Sequence, residues 1–249
     1  MKHIFSQKKA FIAYFTAGDG GVNYSVDAGL ALLEGGVDIL EIGVPFSDPI
    51  ADGPTIQKAC VRSLKNGTTP DSVLEIAARI NKQKPDAPLV LFSYFNPILQ
   101  GGYTFLRSAR EAGFSHMLLL DLPFDHSFYS EQTDLEPILV VSPSTPENRI
   151  AEIANRGRGF LYYACQKGTT GVRNSLPSDV STQLNTIKRM TSTPVVAGFG
   201  IADSRTAKEV CQDADGFVVG SAFVKLIEDG SKPEALKELA RSIDPRSSK

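Results

Sequence analysis

The chain is poor in every feature that would mark a metalloprotein, a disulfide scaffold, a membrane protein or a nucleic-acid binder. Its 249 residues include 3 cysteines and 3 histidines. Cys60, Cys165 and Cys211 cannot build a disulfide framework or a zinc knuckle. An odd count with no export pattern fits a reducing, cytoplasmic compartment, and Cys60 and Cys211 are expected as small buried apolar residues. His3, His116 and His126 lack metal-ligand spacing, so no metal is expected. No apolar run approaches the ~20 residues that a bilayer requires; the longest are short, such as Met117 to Leu120. Met1 to Phe15 is briefly basic, then apolar, and runs into Gly18-Asp19-Gly20-Gly21 without a small-residue cleavage pattern, so it is expected to be mature protein. Lys and Arg number 26 against 28 Asp and Glu, a formal charge of −2. The cationic excess that grips nucleic acid or an anionic membrane is missing, and neither is an expected partner. No Pro/Ser-rich linker or charge block divides the chain. One domain over 1–249 is expected, with a polar tail that frays from about 244.

What the sequence does have is alternation. Short apolar, β-branched runs fall at Phe11–Ala17, Ile39–Val44, Leu89–Tyr94, His116–Leu122, Ile138–Ser142, Phe160–Cys165, Val195–Phe199 and Gly216–Gly220. Their spacing of roughly 30 residues is that of one strand-helix unit, and continuous apolar runs suit a parallel sheet covered by helices. Helix-period segments lie between them: Val26–Glu34 ending at Gly35-Gly36, a helix from about Pro54, Ser72–Asn81 opened by Pro70-Asp71, Thr104–Ala112, Asn148–Asn155, Asp179–Met190 and Ser204–Cys211. Eight such units predict an α/β fold, a single (β/α)8 TIM barrel. A doubly wound sheet would usually carry a Gly-rich dinucleotide loop after its first strand, and Gly18-Asp19-Gly20-Gly21 lacks that spacing.

In a barrel, working residues sit at the C-terminal ends of the strands. Side chains alternate along the second strand. Leu40, Ile42 and Val44 fall on the face that meets helices, and Ile39, Glu41 and Gly43 on the interior, where Gly43 is expected to leave room above Glu41 for a ligand. A carboxylate there is costly unless it is paired or used. Glu41 is either a structural group bonded to a Tyr or Ser, or an acid at work. Asp52, in the loop that follows, is either a cap for the helix near Pro54 or a second carboxylate at the same mouth, in a wetter setting. Gly198-Phe199-Gly200 and Gly220-Ser221, after strands seven and eight, lie where many barrels hold phosphate on backbone N–H groups and a short helix N-terminus.

The run Glu41-Ile42-Gly43-Val44-Pro45-Phe46-Ser47-Asp48-Pro49, with Ala51-Asp52-Gly53-Pro54-Thr55-Ile56-Gln57, resembles the signature of the tryptophan synthase alpha subunit family. The resemblance continues in order through Thr16-Ala17-Gly18-Asp19, Tyr94-Phe95-Asn96-Pro97, Asp121-Leu122-Pro123, Gly198-Phe199-Gly200-Ile201 and Gly220-Ser221-Ala222.

The resemblance implies retro-aldol cleavage of indole-3-glycerol phosphate to indole and glyceraldehyde 3-phosphate. Glu41 matches the family's general acid/base, Asp52 the carboxylate that bonds the indole N–H, and Tyr162 a tyrosine beside the substrate glycerol. Gly171, Phe199, Gly200, Gly220 and Ser221 match the phosphate site. Tyr14 and Tyr94 match the indole pocket, with Tyr14 rather than Phe15 facing inward, and Thr170 matches the closing loop, where it contacts Asp52. The resemblance also implies a beta-subunit partner in an alpha2beta2 heterotetramer. That partner carries pyridoxal phosphate and receives indole, while this chain carries no cofactor. Pro45, Asp48 and Asn96–Gly101 would lie on the partner-facing side. The loop after strand six departs from the family's pattern, with Gln166 where an Arg is usual, and the stretch Asp125–Glu136 is short. Activity, if reduced, is still expected; the alternative is a weakly catalytic chain that acts mainly as an activator of the beta subunit.

Overall fold

The computed structural model describes residues 1–129, 135–165, 179–198 and 200–246. A short helix, α1 (Lys2–Gln7), precedes a regular alternation. It runs β1 (Ala10–Thr16), α2 (Val22–Glu34), β2 (Ile39–Gly43), α3 (Pro54–Lys65), α4 (Pro70–Gln83), β3 (Leu89–Ser93), α5 (Phe95–Glu111), β4 (Phe114–Leu119), β5 (Glu136–Val141), α6 (Glu147–Arg156) and β6 (Leu161–Ala164). It ends with α7 (Val180–Met190), β7 (Val195–Gly198), α8 (Ser204–Val210), β8 (Gly216–Val219), α9 (Ser221–Glu228) and α10 (Pro233–Ile243). The eight strands close in sequence order into a barrel, and every neighbouring pair is parallel. The expected (β/α)8 architecture is present.

The strand phase divides the core into two layers. Phe15, Leu40, Ile42, Val44, Leu91, Met117, Tyr163 and Phe217 pack outward against the helices. Ile12, Tyr14, Ile39, Val90, Phe92, Leu118, Tyr162, Val196 and Val218 fill the interior. Burying each large apolar side chain contributes roughly 1.5–3 kcal/mol relative to exposure, so a one-residue slip of any strand would exchange the layers and is strongly disfavoured.

Besides α10, a helix the sequence expectation did not include, three segments depart from it. The first is α1, which has no counterpart there: Ile4 joins the interior layer and the Phe5 ring lies 5.9 Å from Phe160, closing the N-terminal end of the barrel. Six residues are too few to show a helical period. The second is α5, which begins at Phe95 rather than Thr104. Pro97 stands in its first turn, where a missing N–H is harmless, and Gly102 takes φ 58° at a kink. The third is the start of the tail, which is held in place through Arg246. Asp244 is buried, and Arg246 donates to its two carboxylate oxygens at 2.7 and 2.8 Å, to the carbonyls of Lys9 and Gly36 at 2.8 Å each, and to Asp38.

Among the described residues no helix is long and apolar enough to cross a membrane, and no group of three or more His, Cys, Asp and Glu could hold a metal ion. Cys60 and Cys165 are buried and Cys211 partly so, all as free thiols.

Candidate active site

β2 delivers Glu41 to the barrel interior with no exposed surface. Neither carboxyl oxygen has a hydrogen-bond partner among the described residues, whereas a buried glutamate is usually bonded. Burial alone drives its pKa up to about 8, because the charged form has lost water and gained nothing in return.

Asp52 stands in the loop between β2 and α3 and is 2% exposed. It does not cap α3. Gly53 takes the N-cap position without a side-chain bond, and Pro54 opens the first turn. The Tyr94 hydroxyl instead donates to Asp52 Oδ2 at 2.8 Å and accepts the Ala51 N–H at 3.0 Å, while Oδ1 is buried with no partner among the described residues. Gln57 Nε2 holds the Asp52 carbonyl at 2.8 Å. Burial pushes the Asp52 carboxyl up to about 6, against a smaller downward pull from the Tyr94 hydrogen bond. The two carboxyls of the mouth are therefore held apart: near neutral pH Glu41 is protonated and Asp52 ionised.

Two tyrosines complete the interior. Tyr14 faces inward opposite Glu41 in the β1–β2 register, while Phe15 packs outward. Its ring meets Phe92 edge-on at 4.8 Å, and its hydroxyl lies 3.2 Å from Thr16 Oγ1. The room expected over Gly43 is already taken: a Cβ there would fall 2.3 Å from the Tyr14 hydroxyl oxygen. Tyr162 leans the same way from β6, and a Cβ on Gly198 would fall 2.1 Å from its hydroxyl oxygen. Burial raises the Tyr162 hydroxyl pKa well above its ordinary value, and the charges of Glu41 and, more weakly, Asp52 add to the rise, so all three groups share one electrostatic environment.

Of the expected phosphate residues, Gly220 caps α9 and lies beside Tyr14, Ser221 opens that helix, and Gly200 takes φ 88° after β7. Phe199, Thr170, Gly171 and the departing position Gln166 lie outside the described residues.

A statistical model of the tryptophan synthase alpha chain family matches residues 2–245. The chain belongs to the tryptophan synthase alpha chain family. It is 51% identical over 250 residues to a tryptophan synthase alpha chain of Chlamydia felis, covering 97% of each chain, and 46% identical to one of Coxiella burnetii, covering 97% of this chain and 95% of that one. A solved structure of a tryptophan synthase a2b2 complex from Pyrococcus furiosus is similar at 32% identity and a TM-score of 0.85, over 95% of this chain and 96% of that one. A tryptophan synthase alpha chain is an enzyme subunit. Sequence reasoning missed Phe46, whose ring lies 5.5 Å from Tyr94, and Phe92 beside Tyr14. The alternation that pointed Glu41 inward could have found Phe92, which shares the interior phase of Val90.

Proposed function

We propose that the chain cleaves indole-3-glycerol phosphate into indole and glyceraldehyde 3-phosphate and passes indole to a pyridoxal phosphate-dependent beta subunit. The observation that carries this reading is a pair of buried carboxyls, on β2 and in the loop after it: among the described residues neither oxygen of Glu41 and only Oδ2 of Asp52 has a hydrogen-bond partner.

Breaking the bond at indole C3 needs a proton on that ring carbon and removal of one from the hydroxyl that becomes the aldehyde. Glu41, protonated near neutral pH, gives its proton to C3. Positive charge then grows on the indole nitrogen. Oδ1 of Asp52, which has no partner among the described residues, accepts the N–H there, and its anion stabilises the developing charge in a site of low polarity. The Glu41 carboxylate takes the hydroxyl proton as the C–C electron pair returns to the ring, so protons balance over the cycle. Tyr162 lies beside Glu41 on the glycerol side. Tyr14, Tyr94 and Phe92 give the indole its apolar walls. Backbone N–H groups at Gly200, Gly220 and Ser221, with Gly171 and Phe199, hold the phosphate, and Thr170 contacts Asp52 when its loop closes. This half-reaction uses no pyridoxal phosphate; that cofactor belongs to the partner.

An alpha2beta2 assembly is supported by exposed apolar side chains around Pro45, Asp48 and Asn96–Gly101: Ile50 is 75% exposed, Leu99 57% and Tyr103 49%. Exposed apolar side chains such as these fit burial by a partner. The same reading makes the chain a cytoplasmic enzyme of tryptophan biosynthesis.

Measuring indole release from indole-3-glycerol phosphate, with and without the beta subunit, tests the proposal. Release by the isolated chain that rises on complex formation is expected. No release in either state, with stimulation of the beta subunit retained, would favour the activator reading that Gln166 motivates.

A further inference from the structure

Asp19, from the Thr16–Asp19 run, has no part in the chemistry above, yet it is 2% exposed and its carboxylate is gripped by Arg62. Arg62 of α3 donates to it through two parallel bonds, Nε to Oδ1 at 2.8 Å and Nη2 to Oδ2 at 2.7 Å. The third guanidinium nitrogen, Nη1, donates to Glu228 Oε1 of α9 at 3.3 Å. Around this centre Ser63 Oγ donates to the Ala17 carbonyl at 2.6 Å and Asn66 Nδ2 to the Gly18 carbonyl at 3.4 Å. A planar, forked guanidinium fixes direction as well as distance, which a lysine cannot do.

Arg62 thus ties together three elements that each lead into the proposed site. The loop it grips follows Tyr14 on β1. Its own helix starts immediately after Asp52 and Gly53. The helix it reaches through Glu228 starts at Gly220 and Ser221. Asp52 would meet the indole end of the substrate and the start of α9 its phosphate end.

We propose that Arg62 is a positioning residue that fixes the separation between Asp52 and the N-terminus of α9, and so selects ligands whose two ends span that separation. The inference rests on the proposed function, because it takes the two ends of the site from it. Displacement of one end by about 1 Å can cost on the order of 100-fold in rate, while either end alone keeps its own contacts.

The test compares three ligands by titration calorimetry on the full chain: indole, glycerol 3-phosphate, and indole-3-propanol phosphate, which carries both ends. Arg62→Lys keeps the charge and loses the fork; Glu228→Gln breaks only the arm to α9. For Arg62→Lys, affinity for the spanning ligand is expected to fall roughly tenfold and kcat/KM for indole-3-glycerol phosphate by 10- to 100-fold. For Glu228→Gln the loss is roughly threefold. Both short ligands should bind within about twofold of wild type, which a general loosening of the fold would not allow. If Arg62→Lys does not fold by circular dichroism, Glu228→Gln decides the matter alone. Equal weakening of all three ligands, or no change for the spanning one, overturns the inference. A wild-type chain that fails to bind indole-3-propanol phosphate overturns the proposed function itself.

Discussion

The Tyr94 hydroxyl donates to Asp52 Oδ2 at 2.8 Å and takes its own bond from the Ala51 N–H, so one oxygen of the carboxylate is engaged while the other, Oδ1, is buried with no partner among the described residues. A phenol in this place does two things. It steers the carboxylate, and it stabilises the ionised form that burial disfavours.

Cleavage should therefore follow a bell-shaped pH profile. The acid limb reports ionisation of Asp52, near 6, and the basic limb loss of the Glu41 proton, near 8. In Tyr94→Phe the bond that lowers the Asp52 pKa is gone, so the acid limb should move to higher pH while the basic limb stays. The rate at the optimum should fall roughly tenfold, as for loss of one hydrogen bond to a charged group. An unmoved acid limb in kcat/KM would show that Asp52 is not the group being read.

Folding stability should fall as pH rises through the same range. Glu41 is raised from an ordinary carboxylate value to about 8 in the folded chain, so the native state holds a proton that the unfolded state has released. That contribution is complete below about pH 4.5 and is lost as pH approaches 8, at a slope on the order of 1 kcal/mol per pH unit. Glu41→Gln, which cannot ionise, should flatten this slope. Urea denaturation at pH 5, 6.5 and 8 makes the comparison, and an equal slope in both proteins would contradict it.

Gly43 and Tyr14 should behave as one packing unit. Gly43→Ala places a methyl group where the Tyr14 ring lies and should cost roughly 1–3 kcal/mol. Tyr14→Ala should cost less stability when added to Gly43→Ala than it does alone, because the collision is removed at the same time. Thermal unfolding of the two single variants and the double gives the coupling; strict additivity would mean that the ring moves aside freely.

Arg246 should anchor the end of the chain. Its guanidinium satisfies Asp244 and reaches Asp38, the carboxylate that also holds the Phe11 N–H at 2.8 Å. Arg246→Ala leaves Asp244 buried without its main cation and should cost roughly 2 kcal/mol, about 5 °C in Tm for a chain of this size. An unchanged Tm would show that the docked tail adds nothing.

The barrel was legible because short continuous apolar runs alternate with helix-period segments along the chain, and the alternation of side chains along β2 assigned its faces: Leu40 outward, Glu41 inward. What the sequence did not convey depended on contacts between distant segments. Nothing near Gly43 says that Tyr14, 29 positions earlier, fills the space above it, and nothing near Asp52 says that Tyr94 rather than the α3 backbone will take its carboxylate. The helix α1 and the start of α5 were hidden by brevity and by Pro97 and Gly102. The residue types of the site could be read in the chain; their partners could not.

The central claim is that Glu41 carries the proton that cleavage requires. Its most direct test is indole release from indole-3-glycerol phosphate by Glu41→Gln, alongside titration of indole-3-propanol phosphate. The glutamine keeps the shape of the side chain without an ionisable proton. Release should fall by at least 100-fold, the scale of a lost general acid, with ligand affinity near that of the wild-type chain. Release at the wild-type rate by a variant that still binds the ligand would contradict the account.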